Sequence, residues 1–473
     1  MSADKATILA QLSSLVGENH VLTAQDAMES YLVERRDLWH GKALCVVRPA
    51  NTAEVSAVLK FCNDNRIGVV PQGGNTGLVG GQTPDTSGNE IVLSLTRLNT
   101  IREIDTTTNT MTVDAGVILQ TVQQTADEND RLFPLSLASE GTCTIGGNLA
   151  SNAGGTAVLA YGNARELVNG LEVVLADGRV LSNLSKLKKD NTGYDLKHLF
   201  MGSEGTLGVI TAAVLKMYPK PRSVQTAFIA VPSPHEALAL LLLAQSRAGN
   251  DVKAFEIMPR IGIDFVMTHV PGMRDPFADK YEWYILLELA SQSDQGLEER
   301  ALALLEEAME QELVLDAVLA TSQAQRTAFW GLRENLSDVQ KREGGSIKHD
   351  ISVPVAKVPA FLDEAGPAVE KTIPGARLVP FGHLGDGNIH YNVQQPVGMD
   401  KEAYLARWEE LNEVVHAIAM RYDGSISAEH GIGVLKRDLL PGVKDPVTLD
   451  VMRMMKHTLD PNGILNPGKV LPA

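Results

Sequence analysis

The sequence predicts an α+β protein of two or three domains, and three observations carry that prediction. Strand-like runs and helical stripes follow one another without a fixed repeat, glycine clusters punctuate the first half, and composition shifts after residue 222. At 473 residues the chain is long enough for two or three hydrophobic cores, at roughly 150 residues per domain.

The elements read as follows. Val55, Val58, Leu59 and Cys62 recur at i, i+3, i+4 and i+7, the stripe of an amphipathic helix. The apolar runs at residues 68–70 and 91–95 read as strands, and residues 111–117 as a further strand and turn. A helix through Leu119, Val122, Gln123 and Ala126 follows. Residues 171–181 hold two β-rich runs around Asp177-Gly178, a hairpin signal. Beyond Pro219-Lys220-Pro221-Arg222 the helical segments lengthen and gain charge, as in residues 296–307. That shift sets a domain boundary near residue 222, with segments 1–222, 223–430 and 431–473.

The formal net charge is −16, and most of the acidity lies after residue 222. Repulsion then argues against nucleic acid and anionic membrane surfaces as bulk partners. Cys45, Cys62 and Cys143 are too few and too scattered for a disulfide framework or a thiolate metal site, which suits a reducing compartment. No cationic segment precedes an apolar run at the N-terminus, and no Arg-rich transit peptide is visible. The longest apolar stretch, residues 237–244, is about half a membrane span. A cytoplasmic protein is the expectation.

Five glycines fall within residues 73–81 and five more within residues 141–155. Backbone without Cβ can approach a phosphate closely, and successive N–H groups can converge on its oxygens. Ordinary turns account for one such cluster as well; two, each beside strand-like runs, favour a diphosphate cradle. No Gly-x-Gly-x-x-Gly occurs, so a nicotinamide dinucleotide loses its main support. The late run Gly463-Ile464-Leu465-Asn466-Pro467-Gly468-Lys469-Val470 imitates a phosphate-binding Walker loop, but Val470 stands where Ser or Thr should be and only three residues follow. That match is accidental.

Two longer runs carry a resemblance. Residues 71–81 (PQGGNTGLVGG) and 134–155 (PLSLASEGTCTIGGNLASNAGG), continued by Asp190-Asn191-Thr192-Gly193-Tyr194-Asp195-Leu196 and residues 202–211 (GSEGTLGVIT), resemble the flavoproteins of the vanillyl-alcohol oxidase / p-cresol methylhydroxylase type. The likeness runs from about Val47 to the C-terminus. It implies a two-subdomain FAD-binding domain, an α+β substrate (cap) domain, and a C-terminal segment returning to the flavin. In this pattern Pro71, Gly73, Gly74, Asn75, Thr76, Gly77 and Leu78 match the pyrophosphate loop. Gly141, Thr142, Gly147, Asn148, Asn152, Gly154 and Ile210 match a second contact set, and Asn466 a late one. Some relatives hold FAD covalently through a histidine near the first loop. None occurs here between His40 and His198, so noncovalent FAD is expected.

Three clusters in the second half carry chemistry. Residues 382–392 (GHLGDGNIHYN) place two histidines around a glycine-rich bend, and an extended 390–392 puts His390 and Asn392 on one face. Ser427-Ala428-Glu429-His430-Gly431 sets a carboxylate beside an imidazole. Two histidines and a glutamate can hold a divalent metal with positions open for substrate, although a His-x₆-His spacing is unspecific and most such pairs are structural or surface histidines. The third cluster, residues 330–337 (WGLRENLS), reads as one helix with Arg333 and Ser337 at i and i+4, with Lys348 beyond it.

The resemblance to the hydroxyacid dehydrogenases of this family assigns these residues. His383, His390 and Glu429 match metal ligands, with Zn²⁺ favoured and Mn²⁺ or Co²⁺ admitted by a nitrogen–oxygen set. His430 matches the general base, an imidazole suited to taking a hydroxyl proton near neutral pH. Arg333, Ser337 and Lys348 match the positions that bind a distal substrate carboxylate, and Asn392 and His430 further substrate contacts. The implied activity is metal-assisted oxidation of a D-2-hydroxy acid by FAD, D-2-hydroxyglutarate first. D-lactate, glycolate or D-malate is the alternative, and non-redox transfer on the same fold is a reading from another class. Electrons would pass to an electron-transfer flavoprotein, a quinone or a cytochrome, and a homodimer stays open.

Overall fold

The computed structural model describes residues 4–472, and contacts divide the chain into two compact units. The first comprises residues 1–155, 162–219 and 429–473, and the second residues 156–161 and 220–428. No helix among the described residues is long and apolar enough to cross a membrane.

The first unit holds two main sheets. One is four-stranded, from β1 (Val21–Leu22), β2 (Cys45–Val47), β3 (Val69–Gln72) and β4 (Ile91–Ser94) in the order β1-β2-β4-β3. Strands β2, β4 and β3 run parallel, so the chain must cross over between them. The helix Thr52–Asn65 makes the first crossing, capped by Asn51 and burying Val55, Val58, Leu59 and Cys62 as its stripe requires. The other sheet is antiparallel and five-stranded: β5 (Ile101–Asp105), β6 (Thr110–Asp114), β8 (Val168–Val174), β9 (Val180–Asn183) and β10 (Val209–Lys216), in the order β5-β6-β10-β8-β9. Strands β8 and β9 form the hairpin expected around Asp177-Gly178, with Gly178 at positive φ. A small pair, β7 (Arg131–Leu132) with β11 (Tyr218–Pro219), completes the unit. The C-terminal residues return to the parallel sheet: Leu465 bridges Val69, and the Asn466 N–H donates to the Val69 carbonyl at 2.8 Å.

The second unit is built on one antiparallel seven-stranded sheet. Its strands are β12 (Ser223–Val231), β13 (Val252–Pro259), β14 (Trp283–Ser291), β15 (Asp316–Leu319), β16 (Ser346–Ser352), β17 (Arg377–His383) and β18 (Asn388–Gln394), in the order β15-β12-β14-β13-β17-β18-β16. Opposed residues on neighbouring strands share a face, so register alone sorts the side chains. Ile229, Ile285, Ile257, Ile389 and Ile351 fall on one face, in a core sealed by the helices Pro234–Ala248, Leu297–Glu310, Val358–Thr372 and Trp408–Arg421. The opposite face is apolar at one end, where Phe228, Tyr284, Leu286 and Met258 pack with the helices Arg260–His269 and Gln323–Glu334. Toward β17, β18 and β16 it turns polar. Glu256 opposes His383, Phe381 opposes His390, Asp350 opposes His390 and Lys348 opposes Asn392.

One local expectation needs correcting. The stretch carrying Arg333 and Ser337 is not one continuous helix: Gln323–Glu334 ends and a short helix, Leu336–Val339, begins after Asn335. The Asn335 side-chain amide turns back to the Gly331 carbonyl at 2.8 Å, a local bond that competes with the helical ladder. Asn335 keeps right-handed dihedrals (φ −76°, ψ −11°), so the chain direction changes little.

Candidate active site

In the first unit the glycine-rich loops face each other across a cavity. Its wall includes Pro71, Gly73, Gly74, Asn75, Thr76, Gly77, Gly147, Asn148, Ile210 and His430 among the residues singled out from sequence. Leu78, Gly141, Thr142, Asn152, Gly154 and Asn466 do not line it. Asn152 and Asn466 direct their amides elsewhere. The Asn152 Oδ1 accepts the Arg165 N–H at 2.9 Å, and the Asn466 Nδ2 donates to the Gly81 and Glu204 carbonyls at 2.8 and 2.7 Å. Thr144, Ser151, Glu204 and Gly205 also line the cavity, and sequence reasoning missed them as wall residues.

The glycines serve two purposes. A Cβ at Gly74 would land on the Thr142 carbonyl, and one at Gly73 on the Thr144 hydroxyl, so these two let the loops approach each other. Gly147 is different. It sits within the helix Ile145–Ala150, where a Cβ would meet no protein atom nearer than the Thr144 Oγ1 at 3.6 Å. Its missing side chain keeps cavity space clear. The buried Asn75 Oδ1 and Thr144 Oγ1 have no hydrogen-bond partner among the described residues, although buried polar atoms ordinarily find one. Both belong to residues of the cavity wall. A cradle cleared of side chains and edged by unsatisfied polar atoms fits a dinucleotide.

This gives a test that separates packing from binding. Gly147→Ala leaves the melting temperature of the apoprotein unchanged or slightly raised, because Ala outranks Gly in a helix by up to about 1 kcal/mol. The same substitution weakens FAD at least about tenfold, as read by flavin-fluorescence titration. Gly74→Ala instead lowers the melting temperature of the apoprotein, because backbone must move.

His430 enters the cavity wall on a loop fixed by Glu204. The Ile432 and Gly433 N–H groups donate to the Glu204 carboxylate at 2.7 and 2.8 Å, and Gly431 and Gly433 take the positive φ that tight bend requires. Burial pushes the Glu204 carboxyl above its ordinary pKa, and the two amides oppose that. The half-buried His430 carries its Nε2 3.6 Å from the Glu429 Oε1.

In the second unit the polar end of the sheet gathers the remaining candidates. The His383 and His390 rings lie 5.7 Å apart, centroid to centroid. His383 Nδ1 pairs with the Glu256 Oε1 at 2.7 Å, so Nε2 is the ring nitrogen left outside that bond; His383 is not among the described residues whose ligand atoms gather within 4.8 Å of one another. Burial alone would lower the His383 pKa; the Glu256 carboxylate outweighs it and holds the ring above the ordinary imidazole range. Glu256 in turn stays below the ordinary carboxylate range despite full burial, because His383 and Arg333 both face it. Asp350 and His390 are cross-strand partners whose ligand atoms lie within 4.8 Å. Imidazole nitrogens with a carboxylate are a donor set that suits Zn²⁺, Mn²⁺ or Co²⁺. Glu429 belongs to the first unit.

Arg333 is buried beside this pair. Its Nε donates to the Glu256 Oε2 at 2.7 Å, and its guanidinium lies 4.8 Å from the Phe381 ring centroid. Among the described residues no acceptor faces its two Nη groups. Lys348 Nζ donates to the Ser337 carbonyl and hydroxyl at 2.9 and 3.1 Å, so those two residues adjoin. Asn392 shares the face of Lys348 and His390, and its Nδ2 donates to the Gln340 Oε1 at 3.0 Å. Glu256, Asp350 and Gln340 were not singled out from sequence. The one signal for Glu256 was a lone acidic residue in an apolar strand run, Val252–Pro259.

Residues 43–183 match the family described as FAD binding domain, and residues 220–470 that of the C-terminal domain of FAD-linked oxidases. The chain is similar to the mitochondrial D-2-hydroxyglutarate dehydrogenase of Arabidopsis thaliana, 37% identical over 463 residues, with 97% of this chain and 80% of that one covered. It is likewise similar to the mitochondrial D-2-hydroxyglutarate dehydrogenase of Bos taurus, 39% identical over 466 residues, with 98% and 83% covered. Among solved structures, p-cresol methylhydroxylase with substrate bound matches at a TM-score of 0.76 and 16% identity, with 98% of this chain and 96% of that one covered. That likeness is one of fold, the two-domain FAD-binding fold of the vanillyl-alcohol oxidase type.

Proposed function

Because this chain belongs to the family of FAD-linked oxidases, we propose that it oxidises the C2 hydroxyl of a D-2-hydroxy acid, with D-2-hydroxyglutarate as the preferred substrate and 2-oxoglutarate as product. The observation that carries the substrate class is Arg333: a buried guanidinium held at Nε by Glu256, with its Nη fork unmatched by any described acceptor. Such a fork suits a carboxylate bidentately, and Ser337 and Lys348, which adjoin each other, add a hydroxyl and a second cation. A hydroxy acid with a second carboxylate uses all three; lactate uses none.

FAD, bound noncovalently, supplies the two-electron acceptor for the hydride leaving C2. A divalent cation, Zn²⁺ by preference, supplies positive charge against the alkoxide character that develops on the C2 oxygen. His383, His390 and Glu429 hold that cation in this reading, with Asp350 as a further candidate donor. His430 accepts the hydroxyl proton at its imidazole, and Asn392 orients the substrate. Arg333, Ser337 and Lys348 fix the distal carboxylate, which sets the position of C2. The electrons leave to an external acceptor: an electron-transfer flavoprotein, a quinone or a cytochrome. The buried thiols of Cys45, Cys62 and Cys143 suit a reducing compartment, and the cytoplasm is the reading favoured for this chain.

A panel of hydroxy acids with an artificial dye acceptor, assayed before and after chelation, tests this function. D-2-hydroxyglutarate gives the highest kcat/KM, chelation removes the activity, and Zn²⁺, Mn²⁺ or Co²⁺ restores it. Activity indifferent to complete metal removal contradicts the roles of His383, His390 and Glu429.

A further inference from the structure

Glu256 stands in the middle of strand β13 and is fully buried. A carboxylate in that setting costs several kcal/mol unless each oxygen is matched. Here each oxygen has one partner: Oε1 faces His383 Nδ1 and Oε2 faces Arg333 Nε, both at 2.7 Å. We propose that Glu256 is a positioning residue that ties the metal ligand His383 to the distal-carboxylate anchor Arg333, and thereby sets both the metal affinity and the length of dicarboxylate accepted. The inference rests on the function proposed above and extends it to a residue outside the substrate and metal contacts.

Three features support it. The bond to Nδ1 fixes the His383 tautomer and ring plane, so that Nε2 points away from Glu256. The bond to Nε, rather than to an Nη, leaves the guanidinium fork for another carboxylate, while Phe381 packs against the guanidinium at 4.8 Å from its ring centroid. Both groups are therefore referenced to the two oxygens of one carboxylate, itself fixed by the ladder pairing of Glu256 with His383. The C2 end and the distal end of a substrate are then measured from the same point. A change of one methylene at position 256 breaks that reference even when charge is kept.

Glu256→Asp and Glu256→Gln, made in the full FAD-loaded chain, test this with two readouts. The first is Zn²⁺ affinity by competition with a chelator, which does not depend on turnover. The second is kcat and KM for D-2-hydroxyglutarate and D-lactate. Both variants bind Zn²⁺ about 10- to 100-fold more weakly. Both raise KM for D-2-hydroxyglutarate by about tenfold and lower its preference over D-lactate by a similar factor. The Gln variant separates position from charge: removing a negative charge beside a dianion site would lower KM if charge alone mattered. A lowered KM in Glu256→Gln, or Zn²⁺ affinity and preference at wild-type values in Glu256→Asp, overturns the proposal. Should Glu256→Gln fail to fold, the Asp variant decides. A wild-type chain that binds no Zn²⁺ or shows no preference for D-2-hydroxyglutarate overturns the functional reading and this role with it; a conforming wild type with unchanged variants overturns the Glu256 role alone.

Discussion

Arg333→Ala lowers kcat/KM for D-2-hydroxyglutarate by about a hundredfold or more and leaves D-lactate within about threefold. The magnitude follows from the fork. Two charge-assisted hydrogen bonds contribute about 1.5–3 kcal/mol each, and about 2.7 kcal/mol already corresponds to a factor of a hundred. D-lactate has no second carboxylate, so it loses nothing by direct contact. A structural cost accompanies the substitution, because the buried Glu256 keeps His383 and loses one of its two partners. Breaking a buried pair costs about 3–5 kcal/mol of stability. The kinetic comparison is therefore made within the one variant, between two substrates, after a thermal melt confirms folding. Equal losses for the two acids contradict the assignment of Arg333 to the distal carboxylate.

His430→Ala has the second large effect. A positioned general base contributes about 10²- to 10⁴-fold to proton transfer, and the rate of flavin reduction by D-2-hydroxyglutarate falls by that factor. FAD remains bound, because the loop that carries His430 is pinned two and three residues later by the Ile432 and Gly433 amides on Glu204, independently of the imidazole. The visible flavin spectrum reports retention, and anaerobic stopped-flow mixing reports the rate. An unchanged rate would mean that His430 orients neighbours and moves no proton.

The contrast between these residues and Glu256 shows what a sequence makes legible. Local periodicity is self-contained: the stripe Val55, Val58, Leu59 and Cys62 names its helix because four positions suffice to define a face. The glycines of residues 73–81 and 141–155 were legible for a related reason, since only glycine permits the approach of Gly74 to the Thr142 carbonyl. Their division into packing and clearance was not legible. Gly147 and Gly74 look alike until the surroundings of a Cβ are known. Arg333, His383 and His390 were found through family resemblance, because a helix arginine and a His-x₆-His spacing are individually unspecific.

Glu256 and Asp350 were out of reach because sheet order, not sequence proximity, gives them their partners. Glu256 meets His383 only because β13 pairs β17 across a long intervening stretch of chain, and Asp350 meets His390 through the β16–β18 register. The interruption at Asn335 belongs to the same class: apolar spacing runs straight through it, and the Asn335 side-chain amide adds a bond to the Gly331 carbonyl that spacing does not show. The net charge of −16 is likewise a bulk quantity, and says little about a face where Arg333 and Lys348 are set among imidazoles and amides.

Anaerobic titration of the FAD-loaded chain with D-2-hydroxyglutarate shows whether the acid reduces the flavin, because it needs no acceptor. The visible flavin band bleaches with about one equivalent of the D acid, and the L enantiomer leaves it oxidised. A flavin that stays oxidised in excess D-2-hydroxyglutarate, D-malate and D-lactate alike, with Zn²⁺ present, contradicts the proposed function.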